Sequence, residues 1–191
     1  MRLSHLLLPA AALALAPALA GCGTDSLPPT ADAAWYIQMI QTGTCQIQGH
    51  DDQLGAVTST DRTKVITDQV DGGNVTCTVS GTGKFDVSAT TTYKDLSLSV
   101  NISGLSKSAT ADKPVKGNVT YASTKTIAPY AGECQFFFEG TKEAIAAGKV
   151  WVSFICEPGL TNSSSATGST CEVKTGYLLL ENCETEVTAE E

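Results

Sequence analysis

Every second residue from Leu96 to Ser103 is apolar: Leu96, Leu98, Val100 and Ile102 alternate with Ser97, Ser99, Asn101 and Ser103. A period of two puts the apolar four on one face of a strand and the polar four on the other. A helix would scatter the same residues around its circumference. Runs rich in Val, Thr and aromatic residues recur at residues 35–41, 44–48, 64–70, 74–80, 85–90, 115–122, 134–139, 150–156 and 177–182. Turn-forming clusters at Asp71-Gly72-Gly73, Gly81-Thr82-Gly83 and Glu157-Pro158-Gly159 separate several of them. The pattern predicts an all-β fold, an antiparallel β-sandwich or barrel. One short helix is expected over residues 141–147, with Thr141 as its cap and Gly148 as its stop. Residues 34–41 admit either reading, because alanines lead in and the alternation of Trp35, Ile37 and Met39 with their neighbours is imperfect.

The N-terminus follows a different rule. Residues 6–20 are almost wholly Leu and Ala, Arg2 precedes them and small residues follow, which is the layout of a cleaved export signal. Pro9 and Pro17 interrupt the run, which is shorter than the ~20 residues that span a bilayer comfortably. Its ending, Leu19-Ala20-Gly21-Cys22, resembles the bacterial lipoprotein lipobox. The resemblance implies cleavage before Cys22, a diacylglycerol on its sulfur and an acylated new amino terminus, so the membrane becomes a partner through that lipid. It also implies, from Gly23 in place of Asp, sorting to an outer membrane where the host has one. The expected parts are a signal peptide (1–21), a lipidated tether (22–33), a single β-domain (34–186) and an acidic tail (187–191). The tether is small, polar and proline-containing, which suits a short link to the lipid.

Loss of residues 1–21 leaves a chain of 170 residues, enough for one domain with a real hydrophobic core. Arg2 leaves too, so eleven Lys and Arg face twenty Asp and Glu and the net charge becomes −9. That balance argues against nucleic acid, whose binders concentrate positive charge. Glu181, Glu184, Glu186, Glu190 and Glu191 crowd the last eleven residues and read mainly as a solvated tail.

Lipidation of Cys22 also resolves the odd count of seven cysteines. The remaining six, Cys45, Cys77, Cys134, Cys156, Cys171 and Cys183, are expected to form three disulfides in an oxidising compartment. None has C-x-x-C spacing, which argues against a zinc or redox site. Cys45 with Cys77 would staple the first part of the domain. For the other four the preferred arrangement is Cys156 with Cys171, closing a flexible polar loop, and Cys134 with Cys183. The rival is Cys134 with Cys156 and Cys171 with Cys183.

Candidate chemistry is sparse. After cleavage His50 is the single histidine, and its Gly-His-Asp-Asp setting reads as an exposed loop. Asp51 and Asp52 are adjacent, so on a strand they would face opposite ways and form no acid pair. No G-x-S-x-G turn, Walker loop or G-x-G-x-x-G is present. Residues 68–74 gather acids, a glycine and an amide but miss the calcium-loop spacing, so a hairpin turn is expected. The N-x-[ST] matches at Asn74, Asn101, Asn118 and Asn162 read as Thr-rich strand sequence beside a lipobox. Phe136-Phe137-Phe138 and Trp151 to Ile155 carry large apolar residues on both sides of their strands, which predicts strands covered on both faces. Were Trp151 or Phe137 exposed beside Tyr130, they would offer a stacking surface for a sugar.

The C-terminal half, with Cys134 in a Phe-rich strand, Trp-Val-Ser-Phe-Ile-Cys, a polar loop, Cys171 and a final Leu-Leu-Leu-Glu-Asn-Cys, resembles small cysteine-containing myxobacterial lipoproteins. The early Val-Thr-Cys-Thr-Val strand and the V-x-A and L-S-L strands after it resemble the mycobacterial 19 kDa lipoprotein antigen family. Neither resemblance supplies a catalytic residue. The sequence therefore leads to a non-enzymatic, membrane-anchored envelope lipoprotein with no cofactor and no metal, whose β-domain serves structure or binds a protein or glycan. The alternative is a sugar-binding protein or hydrolase with a loop-lined cleft built from His50, Asp51, Asp52, Tyr130 and Trp151.

Overall fold

In the computed structural model, residues 30–162, 164 and 168–185 are described. The expected signal peptide, Cys22 and the acidic tail lie outside them. Thirteen strands follow in order: β1 (Asp32–Ile40), β2 (His50–Leu54), β3 (Ala56–Val57), β4 (Arg62–Lys64), β5 (Ile66–Thr67), β6 (Gly73–Thr82), β7 (Lys84–Tyr93), β8 (Leu96–Ser106), β9 (Val115–Ala122), β10 (Tyr130–Phe137), β11 (Ala144–Ala146), β12 (Lys149–Asn162) and β13 (Ser169–Glu181). The all-β prediction is met. One antiparallel sheet runs β6, β7, β8, β9, β10, β12, β13, β1, β2, so most strands pair with their sequence neighbours and the N-terminal hairpin joins the last strand. Short β5 flanks β1, and β11 flanks β12.

The sheet curls because one of its faces is continuously apolar. On β8 the alternating Leu98, Val100 and Ile102 are buried, and they join Val79, Val87, Val119, Phe136, Phe154 and Leu178 in a single core. Trp35 of β1 shows how far the curl goes. It is fully buried, donates from Nε1 to Thr91 Oγ1 of β7 at 2.8 Å, and meets the Tyr121 ring of β9 edge-on at 6.2 Å. Neither strand neighbours β1 in the sheet, so the contacts cross the interior of a half-barrel.

The β6 edge would be an aggregation hazard if left open. The segment after β13 covers it: Glu184 N–H donates to Cys77 O and Val79 N–H donates to Glu184 O, each at 2.9 Å. Gly148 N–H donates to Val79 O, and Asp68 Oδ1 accepts from Val75 N–H.

A second apolar layer lies outside the barrel. Ala34, Trp151 and Leu179 of β1, β12 and β13 pack beneath Val57 of the β3–β4 hairpin. This accounts for the large residues on both sides of β12. Trp151 Nε1 donates to Thr58 O at 2.9 Å and pins the flap. Trp151→Phe is expected to keep most of the apolar burial, lose that bond and cost about 1 kcal/mol in a urea titration. An unchanged midpoint would show that the bond adds nothing.

Several expectations need correction. No helix forms at residues 141–147; Ala144–Ala146 is β11, paired with β12. A seven-residue helix falls below the ~12 residues at which isolated helices become even marginal, whereas β12 offers a ladder and the core takes Ile145. Residues 44–48 form no strand but belong to the β1–β2 loop. Residues 64–70 divide between the end of β4, β5 and a turn.

The six cysteines form three disulfides, Cys45–Cys171, Cys77–Cys183 and Cys134–Cys156. The expected Cys45–Cys77, Cys156–Cys171 and Cys134–Cys183 bonds are absent, and the rival arrangement is right in Cys134–Cys156 alone. The reason is that β13 extends well upstream of the expected residues 177–182. Its extended path puts roughly 30 Å between Cys171 and the end of the strand at Glu181, so Cys171 and Cys183 each bond a different region, the β1–β2 loop at one end and β6 at the other.

Candidate functional site

His50 and Asp52 lie in strand β2, not in an exposed loop, and their side chains are only 10% and 9% exposed. Strand alternation points both of them one way and Asp51 and Gln53 the other. The inward pair meets the end of β9. Tyr121 Oη donates to Asp52 Oδ2 and lies 3.0 Å from Ser123 Oγ. His50 Nδ1 donates to Gln48 O at 2.8 Å, while Nε2 sits 3.0 Å from Tyr121 Oη and 3.7 Å from Asp52 Oδ2. Lys125 Nζ completes the cluster, donating to Asp52 Oδ1 at 2.5 Å and to Asp51 O at 2.7 Å.

These bonds fix the electrostatics. Burial alone would raise the Asp52 pKa, but hydrogen bonds from Lys125, Tyr121 and Ser123 outweigh it and hold the carboxyl below its ordinary value. Burial, reinforced by the Asp52 carboxylate, drives the Tyr121 phenol far above its ordinary value. A weakened base bonded to a weakened acid is badly matched to proton transfer near neutral pH. What the arrangement does well is tie β2 to β9, two strands that are not neighbours in the sheet.

The other residues of the expected cleft do not gather here. Asp51 faces the opposite side, toward the Tyr36 hydroxyl; burial first, and that carboxylate second, raise the Tyr36 pKa. Tyr130 is buried and its hydroxyl lies 2.8 Å from Ser169 Oγ, which accepts from Gln46 N–H and so holds the β1–β2 loop. Trp151 lies under the β3–β4 flap, and Phe137 is buried as well. The stacking surface imagined for these three aromatics therefore does not exist. His50 borders two shallow clefts of about 390 and 470 Å³, the larger shared with Lys125 and the almost fully exposed Ile127.

Residues 68–74 turn the chain, as expected from their composition. Asp68 is engaged there by Val75 N–H and by Gln69 Nε2. Among the described residues no group of three His, Cys, Asp or Glu is placed to hold a metal ion. Asn74, Asn101 and Asn118 are exposed on strands, whereas Asn162 is buried at the end of β12.

Sequence reading missed Tyr121, Ser123 and Lys125. Tyr121 follows Val119 on the buried face of β9 as an ordinary apolar strand position, and its partner Asp52 is 69 residues away. Only the charge of Asp52 on a half-buried strand hinted that a cation had to be near.

Fold and site together define a class: a disulfide-stapled, all-β antiparallel half-barrel with a saturated polar cluster at one seam. No protein-family model, curated protein or solved structure matches the chain.

Proposed function

We propose that the chain is an envelope lipoprotein, anchored through a lipid on Cys22, whose half-barrel is a binding or structural module and not a catalyst. The observation that carries the non-catalytic reading is the state of the cluster around the histidine of β2. His50, Asp52, Tyr121 and Lys125 are bonded to one another and to loop backbone. Asp52 and Tyr121 are pushed away from neutral proton exchange. Three disulfides support export to an oxidising compartment, and the Leu-Ala-Gly-Cys run at residues 19–22 supports the anchor. An outer-membrane address follows where the host has such a membrane.

The anchor is tested by growing cells with a radioactive fatty acid. The wild-type protein is expected to carry label and to sediment with membranes, and Cys22→Ala is expected to lose both. Continued membrane partitioning of the Cys22→Ala protein after normal signal cleavage would overturn the anchor.

A further inference from the structure

The curl leaves a second, outward surface on the half-barrel, and its composition changes abruptly from one part to another. Over β6 to β9 the outer positions are short hydroxyl and amide residues such as Thr76, Thr90, Ser99 and Thr120, directly opposite one another across four strands. Over β2, β1, β13, β12 and β10 the outer rows instead carry aromatic rings and long amides. Gln53, Tyr36 and Tyr177 stand side by side in one row. Asp51, Gln38 and Thr175 form the next, and Gln135 and Ile155 pair farther across the same face. Two cations border these rows, Lys174 in the irregularity of β13 beside Thr175 and Lys116 of β9 directly opposite Gln135, the latter paired with Glu133.

Tyr36 and Tyr177 are both partly exposed and stacked, with ring centroids 5.8 Å apart and planes 30° from parallel. Their hydroxyl ends are steadied from two sides, Tyr36 by Asp51 and Tyr177 by Ser59 of the flap. The pair is therefore a fixed aromatic step at the margin of the apolar layer beneath the β3–β4 flap, against which Tyr177 also packs. Farther along the β1–β2 hairpin, beyond both tyrosines, Gln38, Gln41 and Asp51 line part of a shallow concavity of about 390 Å³.

We propose that this face is a binding platform for a neutral, linear oligosaccharide, with Tyr36 and Tyr177 stacking on sugar rings and Gln38, Gln53, Gln135 and Asp51 hydrogen-bonding their hydroxyls. The complementarity is chemical. Sugar rings present apolar C–H faces, which fit aromatic surface, and a rim of hydroxyls, which fit groups able to donate and accept at once. The acidic chain and Asp51 disfavour an anionic ligand. The tyrosine row ends at buried Ser153, which bonds Glu139 and Glu143, so the five-strand strip of roughly 19 Å runs through the neighbouring row from Asp51 to Gln135, long enough for a few sugar units. This deepens the binding reading of the module and is independent of the lipid anchor.

The test uses the full chain, purified in a detergent without a sugar headgroup, and isothermal titration with cellohexaose, chitohexaose, laminarihexaose and maltohexaose. At about 5 mM ligand a Kd near 1 mM still registers. At least one of the four is expected to bind. Tyr36→Ala and Tyr177→Ala are expected to weaken that binding about tenfold or more, while Thr90→Ala on the hydroxyl face leaves it unchanged. Melting curves accompany each variant. Should either tyrosine variant melt early, Gln38→Ala with Gln53→Ala, at partly or fully exposed positions, serves as the deciding variant and should weaken binding severalfold. No binding by any of the four, binding indifferent to these substitutions, or stronger binding of an oligogalacturonate would each overturn the platform. Membrane partitioning of wild-type and Cys22→Ala protein is read separately, so failure of the platform leaves the anchor result intact.

Discussion

Replacing Cys77 and Cys183 together with alanine is expected to destabilise the domain by about 5 kcal/mol, against about 3 kcal/mol for the Cys134 and Cys156 pair. The first estimate follows from the length of chain that each bond closes, 106 residues for Cys77–Cys183 and 22 for Cys134–Cys156. Position in the fold adds a second consequence. Cys134 and Cys156 lie on β10 and β12, which stay paired without their bond. Cys183 instead holds Glu184 against β6, where it satisfies Cys77 O and Val79 N–H. Losing that clamp frees strand-edge groups, so the variant should aggregate in a concentration-dependent way as well as unfold at lower denaturant. The large shared core should keep a β-type circular dichroism spectrum at 25 °C in both double variants. Equal losses for the two pairs, with no difference in aggregation, would show that the β6 edge is held by its hydrogen bonds alone.

The chain's local patterns were more legible than its closures. Leu96 to Ser103 gives β8 directly, because one wet and one buried face impose a two-residue period on the sequence. The two-sided apolar character of Trp151 to Ile155 gives a covered strand for the same reason, although it does not say that a hairpin over residues 56–64 is the cover. Ala144 to Ala146 misleads, since alanine-rich sequence favours a helix in isolation but a three-residue ladder to β12 decides its conformation in place. The disulfides escape because pairing depends on where the ends of β13 fall, and a strand's length is set by partners distant in sequence. His50 was misplaced in an exposed loop for a related reason: its burial depends on Tyr121, 71 residues away. The Tyr36–Tyr177 step spans the two ends of the chain and depends on β1 pairing with β13.

Asp52→Ala is expected to cost about 3 kcal/mol at pH 7, because it leaves Tyr121 and Lys125 without the carboxylate that both engage at a nearly buried site. Asp52→Asn is the more informative variant, since it keeps the volume and removes only the charge. The folded-state pKa of Asp52 lies below its ordinary value, so the unfolded chain binds the proton more readily than the native one. Ionised Asp52 therefore contributes stability in full above the unfolded carboxylate value of ~3.9. That contribution shrinks as pH falls from there and is gone once pH passes below the folded value. In urea titrations across the acid range, the gap between wild type and Asp52→Asn should be constant from pH 7 to about 5 and should narrow below about 4. The wild-type curve should fall toward the variant, not the reverse. A gap that stays constant to the lowest pH at which the domain folds would show that the seam between β2 and β9 depends on the shape of Asp52 and not on its charge.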